Sequence, residues 1–370
     1  MKMKNSLLRP AGKSFRRILT FVCAAAISFT ACEHNADNTP PDAGQAGAPA
    51  GSGATARKDN PPLRPGANPV TFKSEGTTLV GTLFLPPSYQ PGQKLAAVLV
   101  DGPWTQVKEQ VGYRYGRLLA EAGFAALALD HRFWGRSGGA PRNYESTAEK
   151  AKDLQSALSF LEKTPAVDKR RLGMLGVCAG AGITARVVGQ DNRVKSFATV
   201  AAWLQHPSTT PLFYEGPEGV QRRIRLSEAA REKFEQTGQV DYVAAYDPAP
   251  GSGAAMFFPV DYYANPDRGA IPEWENRFAV MSWQEWLQLN AIDGVAEKIT
   301  VPTLMVHSDS SALPGNVRRF YGLLKGPKEL VWTVGEHTQF YDQDPYVPAA
   351  VDALRKHFAR TLVSTATEAR

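Results

Sequence analysis

Three residues carry types and positions that could do chemistry together: Cys178, His337 and Asp309. Cys178 sits in Gly176-Val-Cys178-Ala-Gly180, where an apolar run from Arg171 meets a tight turn and then a small-residue helix start at Ile183-Thr-Ala-Arg. That is the layout of a nucleophile elbow, in which the chain reverses from strand to helix within a few residues. A side chain at such a turn stands on strained backbone, so its neighbours two residues away must be nearly without side chains, and Gly176 and Gly180 are. At a helix N-terminus, unpaired N–H groups and the helix dipole would favour a thiolate. Taken alone, the pentapeptide also fits a buried structural cysteine beside a turn, because short glycine-rich motifs arise by chance.

A thiol nucleophile needs a base. His34 lies in a polar N-terminal stretch, and His357 is flanked by Arg355-Lys356 in the last helical segment. His131 follows Asp130, and His307 ends an apolar run; both read as structural, while His206, just after Trp203, is placed to line a pocket. His337 differs, because Thr333-Val-Gly-Glu-His337-Thr-Gln-Phe-Tyr341 puts it in the loop directly after the last strand. Asp309 is the one carboxylate in the loop after the preceding strand, His307-Ser-Asp309-Ser-Ser311. In that arrangement His337 takes the thiol proton or pairs with the thiolate, and Asp309 holds the imidazole in the correct tautomer. Two backbone donors are expected for a developing oxyanion: the N–H of Ala179, just after the nucleophile, and that of Trp104 in Asp101-Gly-Pro-Trp104, since Pro103 has none. Cys and His show no metal-ligand spacing and no phosphate-cradling glycine loop follows a strand, so neither a metal nor another cofactor is implied.

The positioning elements alternate. Val70–Ser74 and Thr77–Pro86 read as an antiparallel pair joined at Glu75-Gly76. Leu95–Val100 and Phe124–Asp130 read as strands buried in a largely parallel sheet, and Arg171–Val177, Ser196–Trp203, Pro302–His307 and Glu329–Val334 as its further strands. Helices are expected at Val107–Ala122, Ser146–Lys163, Gly315–Leu324 and Pro348–Thr361, which gives an α/β sheet with helices on both faces. Residues 204–290 break the alternation with one helix (Glu218–Gln236) and a dense aromatic region. Such an insertion reads as a cap walling an apolar cleft, with many of its aromatics also serving as its own core.

With nucleophile, acid and histidine in that order at successive strand ends, the chain resembles the α/β-hydrolase superfamily. Within it the likeness is to the dienelactone-hydrolase-like enzymes, which keep a Cys in the elbow. Gly102-Pro-Trp-Thr-Gln-Val-Lys-Glu-Gln110, Arg268-Gly-Ala-Ile-Pro-Glu-Trp274, Phe278-Ala-Val-Met-Ser-Trp283 and Phe340-Tyr-Asp-Gln343 resemble a bacterial branch of that group, over roughly residues 70–360. The resemblance implies the α/β-hydrolase fold: a mostly parallel sheet with helices on both faces and a cap insertion. It also implies a Cys178–His337–Asp309 triad. In many of these relatives the acid stands about two residues later, where this chain has Ser311.

The ends belong to something else. Lys2, Lys4, Arg9, Lys13, Arg16 and Arg17 precede an apolar run, Ile18–Phe29, too short to be a comfortable membrane span. Phe29-Thr-Ala-Cys32 resembles the lipobox of bacterial lipoproteins, which implies cleavage before Cys32 and a lipid on its thiol. Phe29 stands where that family usually has an aliphatic residue, so a plain secretory signal cut near Ala31 is the other reading. Glu33 rather than Asp after the cysteine implies the outer membrane, facing the periplasm. The expected organisation is therefore a signal peptide at 1–31, a flexible tether at 32–68 and a hydrolase domain at 69–365 with its cap at about 204–290. Of 42 Lys+Arg against 36 Asp+Glu, six basic residues lie before Cys32, so the remainder balances and gives no reason to expect nucleic acid as a partner. Cys178 is then the one cysteine beyond Cys32, with no partner for a disulfide.

Three functions fit these residues. The first is hydrolysis of an ester, lactone, thioester or related acyl bond through an acyl-cysteine, on a small-molecule substrate with an apolar part. The second is acyl transfer by the same triad, and the third a non-catalytic binding lipoprotein on a hydrolase fold.

Overall fold

The computed structural model describes residues 60–362. The expected signal peptide, the lipidation residue Cys32 and most of the expected tether lie outside the described residues. The folded domain takes in residues before 69: Asn68 is buried, its side chain accepting from the Arg64 N–H and donating to three carbonyls.

Strands β1 (Gly66–Ser74) and β2 (Thr77–Leu85) form the expected hairpin. Both of its turn residues, Glu75 and Gly76, have positive φ, the conformation that matches strand twist in a two-residue turn. The chain continues through β3 (Leu95–Asp101), α1 (Val111–Glu121), β4 (Ala125–Asp130), α2 (Thr147–Lys163), β5 (Val167–Val177), α3 (Gly180–Val188) and β6 (Val194–Val200). The insertion follows, with α4 (Gly216–Thr237), β7 (Tyr242–Val243), α5 (Asp261–Ala264), β8 (Phe278–Ala279) and α6 (Trp283–Leu287). Then come β9 (Thr303–Ser308), α7 (Pro314–Leu323), β10 (Lys328–Thr333), α8 (Gln339–Asp342) and α9 (Tyr346–Thr361).

Eight strands make one sheet in the order β1-β2-β4-β3-β5-β6-β9-β10, parallel from β4 onward. Helices α1 and α9 pack together on one face and α2 with α3 on the other, so the central strands are buried on both sides. This double burial explains why β3 and β4 read as unbroken apolar runs. Ser146 caps α2 by accepting from the Glu149 N–H.

Two boundaries differ from expectation for a tertiary reason. The helix expected from Val107 starts only at Val111, because the Lys108 N–H is drawn to the Asp130 carboxylate and the Gln110 side chain to the Gly269 carbonyl. The strand expected to reach Trp203 stops at Val200, where Ala201 turns to positive φ and Trp203 N–H bonds the Cys178 carbonyl. Both departures shape the walls of one site.

Candidate active site

The elbow forms where the sequence placed it. Cys178 lies between β5 and α3 with φ of 54°, a left-handed conformation that costs an ordinary residue on the order of 1–3 kcal/mol. The two glycines are required by contact. A Cβ on Gly176 would stand 2.4 Å from Thr184 Oγ1, and one on Gly180 would stand 2.7 Å from the Gly102 carbonyl oxygen. The Gly180 N–H instead bonds that same carbonyl at 2.9 Å, which ties the elbow to the loop carrying Trp104.

The structure brings together Cys178, His337 and both expected backbone donors. His337 Nε2 lies 3.2 Å from Cys178 Sγ, and Ala179 and Trp104, whose amides favour the ionised sulfur, line the same cavity. Asp309 does not join them. Its side chain is 72% exposed and pairs with Arg318 at 2.8 Å, because it leaves the end of β9 pointing toward α7 and solvent. His337 Nδ1 meets Ser311 Oγ at 2.8 Å and the Ala312 N–H at 3.2 Å. The acid expected at Asp309 is therefore corrected: a hydroxyl holds the imidazole. Asp342, also near His337 in sequence, is clamped by Arg268 at 2.6 and 2.9 Å and does not hold it either.

The charge state expected of the cysteine is corrected too. Burial pushes the Cys178 thiol up to about 11, against smaller opposing effects of Tyr341 and the two amides. Burial likewise pushes His337 down to about 3. With no carboxylate on Nδ1, nothing repays the cost of an imidazolium, so thiol and imidazole are both neutral at rest.

Beneath the Trp104 loop lies a buried polar frame. Asp101 Oδ1 accepts from the Gly102 N–H at 3.0 Å and lies 2.9 Å from His131 Nε2. His131 is pushed up to about 9: burial opposes its charge, but Asp101 and Asp153 outweigh that. Asp130 receives the Lys108 N–H and Nζ and the Arg136 N–H, and a Cβ on Gly135 would collide with it at 2.5 Å. Asp130 and His131 are thus structural, as read. His206 bonds Asp293 and Ser208 and does not line the pocket.

The insertion covers the sulfur. Trp203, Tyr214, Phe258, Tyr263 and Trp286 line the cavity at Cys178, whose volume is about 40 Å³. Substrate pockets run to roughly 300–1,000 Å³, so the cap leaves little room over the nucleophile. The cap aromatics also pack on one another and on the loop after β3, with Trp286 stacked on Trp104 at 4.5 Å and Arg223 within 5.5 Å of three ring centres. A surface hollow of about 480 Å³ beside Arg186 and Lys298 is larger but holds no nucleophile. Among the described residues no cluster could hold a metal ion, and no helix is long and apolar enough to cross a membrane.

Against known proteins, residues 112–237 match the family model described as serine aminopeptidase, S33. The chain is 28% identical over 292 residues to the uncharacterized protein PA2218 of Pseudomonas aeruginosa, spanning 75% of this chain and 77% of that protein. The crystal structure of that hypothetical protein superposes with a TM-score of 0.70, covering 81% of this chain and 95% of the other. The chain has the α/β-hydrolase fold. A further likeness is to the α/β hydrolase GrgF from Penicillium sp. sh18, with a TM-score of 0.68 at 21% identity over 80% of this chain and 99% of that one. By sequence the polyketide transferase claH of Penicillium crustosum is 23% identical, over 74% of this chain and 90% of that protein.

Sequence reasoning missed one further residue of this site. Tyr341 lines the same small cavity as Cys178 and His337, its ring 5.5 Å from the imidazole. Its signal was the four-residue step from His337 into a short helix, in a stretch noticed only as a family likeness.

Proposed function

We propose that the protein breaks an ester, lactone or thioester bond through an acyl-cysteine on Cys178, on a substrate whose acyl part is apolar. The observation that carries this is the 3.2 Å contact between Cys178 Sγ and His337 Nε2 beside two convergent amides. Both groups being neutral at rest, the imidazole proton stands on Nδ1 and donates to Ser311 Oγ, which leaves Nε2 bare to take the thiol proton as sulfur attacks the carbonyl carbon. The amides of Ala179 and Trp104 take the carbonyl oxygen as it becomes an oxyanion, and the leaving group recovers the proton from Nε2. The Ser311 hydroxyl, which can accept as well as donate, receives Nδ1–H while the ring is charged.

Release of the acyl group runs the same steps with water or another nucleophile. The narrow, aromatic-walled cavity supports transfer to an acceptor as a second reading, as does likeness to a protein named a polyketide transferase. A panel of aryl esters, lactones and acyl thioesters, offered with and without alcohol and amine acceptors, separates the two readings. Acyl turnover lost in Cys178→Ala is expected, and turnover that survives the change would exclude the cysteine route.

The reading also places the protein outside the cytoplasm, held to a membrane by lipid on Cys32. Its support is the basic leader and the lipobox-like Phe29-Thr-Ala-Cys32. Cys32→Ala is expected to abolish labelling by a radioactive fatty acid; undiminished labelling contradicts the anchor.

A further inference from the structure

We infer that Tyr341 is a catalytic residue of this chain, its hydroxyl donating a hydrogen bond to the Cys178 sulfur as the anion forms and again as it departs. The inference rests on the reading of Cys178 as nucleophile.

The need arises from the missing carboxylate. His337 is held by Ser311 and Ala312, both neutral, so an imidazolium gains no stabilising charge and cannot by itself sustain a thiolate partner. The Ala179 and Trp104 amides face the sulfur only until substrate binds, because the carbonyl oxygen must then take them over. Tyr341 lines the same small cavity as the sulfur, and its hydroxyl is free of that exchange.

Its placement is fixed from several sides. Tyr341 is 1% exposed. Its ring meets the His337 ring at 5.5 Å and the Tyr262 ring at 4.9 Å, both edge-on. Asp342, next in α8, is clamped by Arg268, which also bonds the Thr338 carbonyl at 3.1 Å. Helix α8 is thereby held by the cap. Two segments shared with the family likeness, around Arg268 and around Tyr341, thus meet for one purpose. Tyr263 lines the same cavity. Other groups that bias the sulfur are His337, the two amides and Lys150; Tyr214 also faces it from the cap. Burial and its neighbours hold the Tyr341 hydroxyl protonated far into the alkaline range, so it remains a donor.

The steps balance without Tyr341 losing its proton. In acylation the S–H proton goes to Nε2, the C–S bond forms, the bond to the leaving group breaks and that group takes the proton. In release the acceptor's proton goes to Nε2 and its oxygen or nitrogen bonds the carbon. The C–S pair then returns to sulfur, which Tyr341 stabilises until Nε2 gives it the proton.

Tyr341→Phe keeps both ring contacts and removes the hydroxyl; Tyr341→Met, read in parallel, removes it with a flexible side chain. Alkylation of Cys178 by iodoacetamide, followed by peptide mass against pH, reads the sulfur without any substrate. Since a hydrogen bond to an ionised group stabilises by an amount equal to roughly 10- to 100-fold in an equilibrium, the midpoint should rise by about one to two pH units. With an acyl substrate kcat should fall by about the same factor with KM little changed. Tyr262→Phe, which keeps the packing against Tyr341 and does not touch the sulfur, should leave the midpoint in place. An unmoved midpoint and unchanged kcat in folded Tyr341→Phe overturn the role of Tyr341 alone. Acyl turnover that survives Cys178→Ala overturns the nucleophile reading, and this inference with it.

Discussion

Ser311 Oγ stands 2.8 Å from His337 Nδ1, in the place where a carboxylate would hold a catalytic imidazole, while Asp309 two residues earlier pairs with Arg318 in solvent. The two side chains therefore predict opposite responses. Asp309→Asn should leave kcat within about twofold, since an exposed ion pair is worth little. Ser311→Ala removes one neutral hydrogen bond and should lower kcat by roughly three- to tenfold. Ser311→Asp supplies the missing charge, so it should raise the proton affinity of His337 and shift thiol alkylation to lower pH by at least about one unit. Alkylation against pH for the three variants checks the order.

Histidines give stability a maximum near pH 6.5. His131 has its folded value raised to about 9 from 6.5, so its contribution is complete below 6.5 and is lost as pH rises through 9. His307 and His357 are lowered to about 4, and His337 to about 3, each by burial. Below pH 6.5 the unfolded chain binds protons that these three refuse, and stability falls by about 1.4 kcal/mol per pH unit for each. Urea midpoints measured from pH 5 to 10 should decline on both sides. His131→Gln should abolish the alkaline limb attributable to it.

Gly180→Ala tests the elbow. The added methyl meets the backbone of Asp101 and Gly102 at 2.7 Å, and backbone yields less readily than a side chain. The Trp104 loop must then move away from the sulfur. The expected result is loss of an oxyanion donor, roughly 10²-fold in kcat, with a folded protein by circular dichroism. Near-normal kcat in this variant contradicts the assignment of Trp104.

Much of this was legible in the sequence, for a physical reason. Buried parallel strands must be apolar throughout, and a strained elbow must be flanked by glycine, so the sheet, Cys178, Gly176 and Gly180 announce themselves. His337 was found by its place after the last strand. Asp309 misled because sequence order does not say which way a loop side chain turns: the chain rotates between Ser308 and Ser311, sending Asp309 out and Ser311 in. The thiolate was misjudged because local electrostatics at a helix start are visible in sequence, whereas the cap that dehydrates Cys178 is assembled from Trp203, Tyr214, Phe258, Tyr263 and Trp286. Tyr341 became evident only once the Arg268–Asp342 pair showed where α8 is held.

The central claim is that acyl groups pass through Cys178, and trapping the intermediate tests it most directly. The purified protein should be mixed with an excess of a medium-chain acyl thioester, quenched in acid within its first turnovers, and weighed intact and as peptides. The predicted result is a mass increase of one acyl group on the peptide bearing Cys178, absent in Cys178→Ala and formed far more slowly in His337→Ala. Catalysed turnover of the thioester with no adduct on Cys178, and turnover undiminished in Cys178→Ala, would contradict the account.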